Sequence, residues 1–277
     1  MGSMGLIAGE GQLPLLVARG MKAAGHHVCC VAFRGHYDSA LPDCCDEFRP
    51  VGLYRIGSWS RLLRRWGASE AVMVGRVAKT RMHDPFRLIR ELPDWRAALL
   101  WYRHLRHDRR DQAVLAAVID ELDRGGIRLM DSTTYIPDQL ASTGVMGTVH
   151  PTAQQQADIA FAWPLLSQTS QLDIGQSMAV RERDVIAVEA VEGTDRMIKR
   201  AGELCRAKGW SLLKTSPADH DRRADVPSIG VSTVTAVAEA GGGCIALGTE
   251  RVILIDKDAV LAAADAAGIA ILGVDAT

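Results

Sequence analysis

The sequence has no uninterrupted apolar span of about 18 residues, so a membrane-crossing helix is not expected. Its first residues also lack the basic-then-apolar order of a secretory signal peptide. Cysteine is sparse, six in 277 residues, and its spacing excludes more than its number does. Cys29-Cys30 and Cys44-Cys45 lack the two-residue gap of a zinc knuckle, and Cys205 and Cys244 stand far from both pairs. Buried thiols in a reducing compartment are the plain reading, which favours the cytoplasm. No Ser/His/Asp or Cys/His nucleophile pattern is present: His83, His150 and His220 have no such motif beside them, and His104 and His107 fall in a basic stretch. Internal repeats and low-complexity segments are also absent. A formal net charge of −1 gives no electrostatic footprint for nucleic acid.

That near-neutral total conceals a split. Residues 1–140 carry 20 Lys and Arg against 16 Asp and Glu, whereas residues 141–277 carry 12 against 17. An anionic ligand on the first half and a cation on the second would suit such a division. With 48% hydrophobic and 23% charged residues the chain has a globular composition, and its length allows two domains.

Local patterning supports an α/β architecture. Gly5-Leu6-Ile7-Ala8 reads as a buried strand, Gly9 to Gln12 as a turn, and Pro14 suits the first turn of a helix running to about Gly25. His27 to Phe33 is a second apolar strand. Ser58 is placed to cap a helix carrying Leu62, Leu63 and Trp66, and Ala71 to Val77 forms a further strand. Such alternation predicts a Rossmann-like parallel sheet. Residues 85–124 read as helical, broken near Pro93 and Asp108, with Ile127 to Met130 returning as a strand. Turn residues rise from Asp131 to Pro151. The expected organisation is an N-terminal domain over 4–136, a linker over 137–152 and a mixed α/β domain with hairpins over 153–277. In that second domain, strands Ser177–Glu182 and Val185–Val191 are expected to turn at Arg183-Asp184.

Several stretches carry chemistry. Gly9, Gly11 and Gln12 lie where a Rossmann phosphate loop would lie, and glycines there let backbone N–H groups approach a diphosphate. Pro14 replaces the third glycine, and the second strand ends at Phe33-Arg34 instead of an acid, which argues against a nicotinamide cofactor. An ordinary glycine turn reads the same way. Arg76, at the C-terminal end of a strand, can pair with phosphate through its planar fork or be part of a solvated basic edge. The stretch from Leu92 to Arg110 interleaves Trp95, Trp101 and Tyr102 with Arg96, Arg103, Arg106, Arg109 and Arg110. It suits nucleic-acid binding through basic and aromatic side chains, an amphipathic surface near anionic lipid or acyl chains, or a helix with an aromatic core face and a solvated basic face. Around Val188 to Asp195, three acids recur at intervals of three: Glu189, Glu192 and Asp195. Glu189 is expected inside the strand and least suited to chemistry. Thr194 or Asp195 is expected to cap the helix that follows, at an N-terminus that also favours phosphate. Asp221-Arg222-Arg223-Ala224-Asp225 interleaves acids with arginines, which fits phosphate neutralisation beside a hard cation or a polar loop with internal ion pairs.

Taken together, Leu172-Asp173-Ile174-Gly175-Gln176, Val188 to Ile198 and Asp221-x-Arg223-x-Asp225-Val226-Pro227-x-Ile229-Gly230 resemble the UDP-2,3-diacylglucosamine pyrophosphatases of lipid A biosynthesis, the type unrelated to calcineurin-like metallophosphatases. The opening Gly5-Leu6-Ile7-Ala8-Gly9-x-Gly11-x-Leu13-Pro14 is similar as well, so the resemblance spans nearly the whole chain. It implies a Mg²⁺-dependent hydrolase that splits UDP-2,3-diacylglucosamine into UMP and 2,3-diacylglucosamine 1-phosphate (lipid X), with water attacking the sugar-side phosphorus. Carried over residue by residue, it marks Asp225, Asp221 and Arg223 as catalytic candidates and Asp225 with Asp195 as metal ligands. The candidate substrate-binding set, from the resemblance and the local readings together, is Gly9, Gly11, Gln12, Arg76, Gln176, Thr194, Asp195 and Lys214. Two positions depart from the family pattern: Asp111-Gln112 stands where an acidic pair is common, and Ala224 where Phe is frequent. The implied partners are a UDP-linked diacylated sugar and, peripherally, the inner face of the inner membrane, with no nucleic acid and a homodimer left open. A phosphotransferase on another sugar nucleotide, or a non-catalytic nucleotide- or lipid-binding protein, would use the same clefts.

Overall fold

The computed structural model describes residues 2–76, 94–100, 102, 111–217, 219–223 and 226–275. It divides into two compact units, Met1–Ile136 with Arg222–Asp225, and Pro137–Asp221 with Val226–Thr277. The division therefore passes through the Asp221-x-Arg223-x-Asp225 stretch. Both units are α/β.

In the first unit β1 (Ser3–Ala8), α1 (Leu13–Ala23), β2 (His27–Phe33), β3 (Glu47–Val51), α2 (Ile56–Arg65), β4 (Glu70–Val74), α3 (Trp95–Leu100), α4 (Asp111–Arg124) and β5 (Arg128–Leu129) follow in order. The five strands form a parallel sheet in the order β3-β2-β1-β4-β5. Strands β1 and β2 are continuous apolar runs because both their faces are covered, as a central parallel strand requires. Strand β3 has no apolar run to announce it; it lies at the sheet edge, where Pro50 is tolerated because one side needs no ladder bond.

Ser58 does not cap α2, which begins two residues earlier, at Ile56. The cap comes instead from Asp94, whose carboxylate accepts from the Gly57 N–H at 2.8 Å and the Ala97 N–H at 2.9 Å. One acid thus satisfies orphan donors at the starts of both α2 and α3. Of the residues between Leu92 and Arg110, the notable aromatic-basic positions 101 and 103–110 lie outside the described residues, as do Pro93 and Asp108.

The second unit contains β6 (Gly144–Val145), α5 (Ala153–Gln171), β7 (Ser177–Arg181), β8 (Asp184–Val188), α6 (Thr194–Leu204), β9 (Trp210–Lys214), β10 (Ser228–Ile229), α7 (Val231–Glu239), β11 (Gly242–Gly248), β12 (Ile253–Leu254), α8 (Lys257–Ala267) and β13 (Ala270–Val274). Its main sheet runs β13-β11-β9-β7-β8, with β13, β11 and β9 parallel and β7 antiparallel to both its neighbours. Apolar clusters cover both faces, one around Trp210, Leu212 and Ile245, the other around Trp163, Leu213 and Ala246. Helix α5 starts with a capping box in which Thr152 and Gln155 exchange side-chain and backbone bonds.

The β7–β8 turn sits one residue earlier than its sequence suggests, at Glu182-Arg183, both with positive φ (53° and 60°). That is the paired left-handed geometry of a two-residue hairpin, adopted here without Gly or Asn. Asp158 explains it: fully buried on α5, its carboxylate accepts from the Arg183 N–H at 2.8 Å and fixes the turn from below. Strand β8 also stops at Val188, so Glu189 lies beyond the strand and not within it.

Two outcomes test this description. At Gly75 (φ 98°) an added Cβ would sit 2.7 Å from the Gly9 carbonyl carbon, so Gly75→Ala should cost about 1–3 kcal/mol in urea unfolding. Asp265 accepts from the Thr148 and Val149 N–H groups, and the first of these bonds chiefly holds its carboxyl below the usual range. A depressed carboxyl stabilises above its unfolded pKa of about 3.9 and loses that contribution as pH falls through the folded value. Asp265→Asn should therefore flatten the acid limb of the stability–pH curve.

Candidate functional site

In each unit some of the sequence-predicted residues, Gly9 and Arg76 in the first and Lys214 in the second, lie at the C-terminal edge of parallel strands, where open α/β sheets bind ligands. In the first unit the loops after β1 and β4 meet at the point where strand order reverses. Gly9 N–H donates to the Val74 carbonyl at 2.9 Å, and Glu10 and Arg76 exchange backbone bonds of 2.8 and 2.9 Å. Gly9 is needed for this contact, because a Cβ there would lie 2.6 Å from the Arg76 carbonyl oxygen. Gly11 has φ 104° with open space around it, and exposed Gln12 precedes α1 without capping it by its side chain. Arg76 is exposed at this edge. Buried His36 follows β2 and meets Glu10 at 2.8 Å from Nδ1 to Oε1.

The Asp221-x-Arg223-x-Asp225 stretch is held by the residue between its marked positions. Arg222 donates from Nη2 to the Thr133 hydroxyl oxygen at 2.6 Å and accepts, through its carbonyl, from the Ser132 N–H at 2.9 Å. The Thr133 hydroxyl in turn donates to Asp131 Oδ1 at 2.6 Å. Arg222 Nε lies 3.1 Å from Asp131 Oδ2, an ionic approach without hydrogen-bond alignment. Asp221 is exposed and Arg223 half-buried, whereas Asp225 lies outside the described residues. The side chain of Asp111 also lies outside them. In the sequence, Asp131 and Thr133 read only as turn residues near a boundary, since nothing local links them to an arginine some 90 positions away.

A dense polar group among the described residues belongs to the second unit. Lys214 ends β9, opposite Ser177 at the start of β7, and is only 3% exposed. Its ammonium donates to the Thr194 hydroxyl at 2.7 Å and the Ser177 hydroxyl at 3.2 Å. Thr194 has one hydroxyl proton, which goes to Glu189 Oε1 at 2.9 Å. Glu189 is 6% exposed, and its other oxygen, Oε2, is buried with no hydrogen-bond partner. Gln176 joins through its backbone, its carbonyl accepting from the Thr215 N–H at 3.1 Å.

Neither Thr194 nor Asp195 caps α6: the cap position is Gly193, with φ 82° and no side-chain acceptor, and Thr194 is the first helical residue. A glycine serves because the chain must turn through a left-handed conformation directly after Glu192. Of the three evenly spaced acids, then, Glu189 turns inward to Thr194 and Asp195 is exposed in the first turn of α6. Glu192 staples the loop, receiving Arg200 Nη2 at 2.6 Å and the Ala190 N–H at 3.2 Å. Its own backbone N–H, followed by the Arg200 guanidinium, holds its carboxyl below the usual range.

Among the described residues no group of three His, Cys, Asp or Glu side chains gathers to hold a metal. Asp195 offers a single exposed carboxylate in the first turn of α6, next in sequence to the Thr194 that Lys214 contacts. That donor set fits a Mg²⁺ ion that takes most of its ligands from phosphate oxygens and water, and does not form a prebuilt cage.

The Thr194 hydroxyl serves two buried charged groups at once. Thr194→Val should destabilise the protein by about 2–3 kcal/mol in denaturant titrations, whereas Thr194→Ser should remain within about 1 kcal/mol of wild type.

Residues 3–139 match the LpxI N-terminal domain and residues 142–272 the LpxI C-terminal domain. The chain is also 32% identical, over 99% of its own length and 98% of the relative's, to the UDP-2,3-diacylglucosamine pyrophosphatase LpxI of Caulobacter vibrioides. With both domains matched in order and nearly every residue covered, the chain belongs to the LpxI family.

Proposed function

We propose that this protein hydrolyses the diphosphate of UDP-2,3-diacylglucosamine in lipid A synthesis, releasing UMP and 2,3-diacylglucosamine 1-phosphate. The observation that carries the reading is the end-to-end similarity to a relative named for that pyrophosphatase activity. In the reaction a water oxygen bonds to the sugar-side phosphorus as the bond from that phosphorus to the bridging oxygen breaks. The bridging oxygen leaves with UMP, and the water protons pass to solvent or to a basic group.

The chain's cations supply the electrostatics. Lys214, desolvated at the end of β9, can give an N–H to a phosphate oxygen, and exposed Arg76 and half-buried Arg223 offer planar forks at their own loops. A donor placed where charge develops contributes roughly 2.7–4 kcal/mol in well-measured cases. Mg²⁺, held by Asp195 and, on the family resemblance, Asp225, would neutralise phosphate charge when bound.

Exposed apolar side chains support a lipid substrate taken from a membrane surface. Val191 is fully exposed, and Leu172 and Ile174 are exposed in the loop before β7. In the other unit Trp95 is 76% exposed. Among the described residues no helix is long and apolar enough to cross a membrane. Peripheral contact with the inner face of the inner membrane is the mode these features favour.

The direct assay incubates the purified chain with the lipid nucleotide, with and without chelator, and measures UMP. UMP is expected with Mg²⁺ and should vanish with chelator, and Asp225→Ala should lower kcat by about 10²-fold or more. Absence of UMP at every Mg²⁺ concentration would sink the activity, and UMP formation unchanged by chelator would remove the metal from it.

A further inference from the structure

We propose that Glu189 is a positioning residue that sets Lys214 for phosphate recognition, acting through the Thr194 hydroxyl. The proposal rests on the reading of Lys214 as a substrate-phosphate ligand. Its geometric basis is a chain with one permitted direction. A carboxylate only accepts and an ammonium only donates, so the single Thr194 proton must point to Glu189 and the hydroxyl lone pairs to Lys214. The two bonds, 2.9 and 2.7 Å, tie the β9 terminus to the first residue of α6, while Ser177 holds the same ammonium from β7 at 3.2 Å.

The energetics of Glu189 speak for a role beyond packing. One of its oxygens has a single hydroxyl partner and the other, buried, has none. A buried carboxylate so poorly served is costly, and apolar residues of similar volume often stabilise a fold better than buried charges do. Two nearby features offset the cost: the Lys214 charge one hydroxyl away, and the positive end of α6, an 11-residue helix. Removing Glu189 would leave the Thr194 proton free to turn, so its oxygen would no longer be held as an acceptor for Lys214. The ammonium would then lose one of the restraints that set where its charge meets an incoming phosphate.

The test is a double-mutant cycle on the full chain, reading kcat and KM for UMP release from UDP-2,3-diacylglucosamine, with a melting curve for every variant. Glu189→Gln keeps the size and one acceptor oxygen. It should raise KM and lower kcat/KM by about tenfold, the scale of one hydrogen bond to a charged group. In a Lys214→Met background the same change should alter kcat/KM by less than about twofold, because its effect runs through Lys214. If Glu189→Gln fails to fold, Glu189→Asp, which draws the carboxylate back from Thr194, takes its place with the same expected KM shift. Equal losses from Glu189→Gln in both backgrounds would overturn the proposal while leaving Lys214 as a ligand. A Lys214→Met enzyme with wild-type kcat/KM would instead remove the reading of Lys214 on which it rests. An inactive wild-type chain would remove the activity itself.

Discussion

A lysine ammonium cannot be left bare at the end of a buried strand; it must find oxygens. Lys214 finds them in Ser177 and Thr194, which lie 17 positions apart in the chain, and the Thr194 hydroxyl hands the requirement on to Glu189. That requirement organises the C-terminal edge of the second sheet. It ties the start of β7 to the start of α6. A buried cation and a helix N-terminus then meet at one strand edge, a combination suited to a phosphate group.

The first unit solves a related problem with the same chemistry. Asp131, Thr133 and Arg222 repeat the order of acid, threonine hydroxyl and base, with bonds of 2.6 Å on both sides of the hydroxyl. Here the relay is half-exposed, and its product is an anchored loop instead of a buried charge. Arg222 lies inside the family-matched stretch yet is not one of the positions that stretch marks. Its bonds to Thr133 and Ser132 hold the backbone between Asp221 and Arg223.

The departures from sequence expectation share one cause. Strand β3 was hidden because an edge strand can carry Pro50 and Arg49 where a central strand cannot. The start of α2 was misplaced because its cap, Asp94, lies 37 positions from the N–H it serves. The hairpin turn was displaced by one residue because Asp158, on a preceding helix, stabilises left-handed Glu182 and Arg183. Glu189 reads as a strand residue because its apolar neighbours extend the pattern past Val188, where β8 ends. In each case a side chain distant in sequence, or a position in the sheet, outweighed the local signal.

Apolar runs and their turns determine the α/β class and the strands β1, β2, β9 and β13 to within a residue or two, because burial of both sheet faces demands those runs. The spaced acids, the glycine turn and the Asp-x-Arg-x-Asp stretch also pointed to phosphate chemistry before any fold was in view. Tertiary structure alone decided which of these residues act together. Hydrogen bonds have direction, and the roles of Glu189, Thr194 and Lys214 depend on which oxygen receives which proton. That information appears only when strand ends and a helix start are brought within 3 Å of one another.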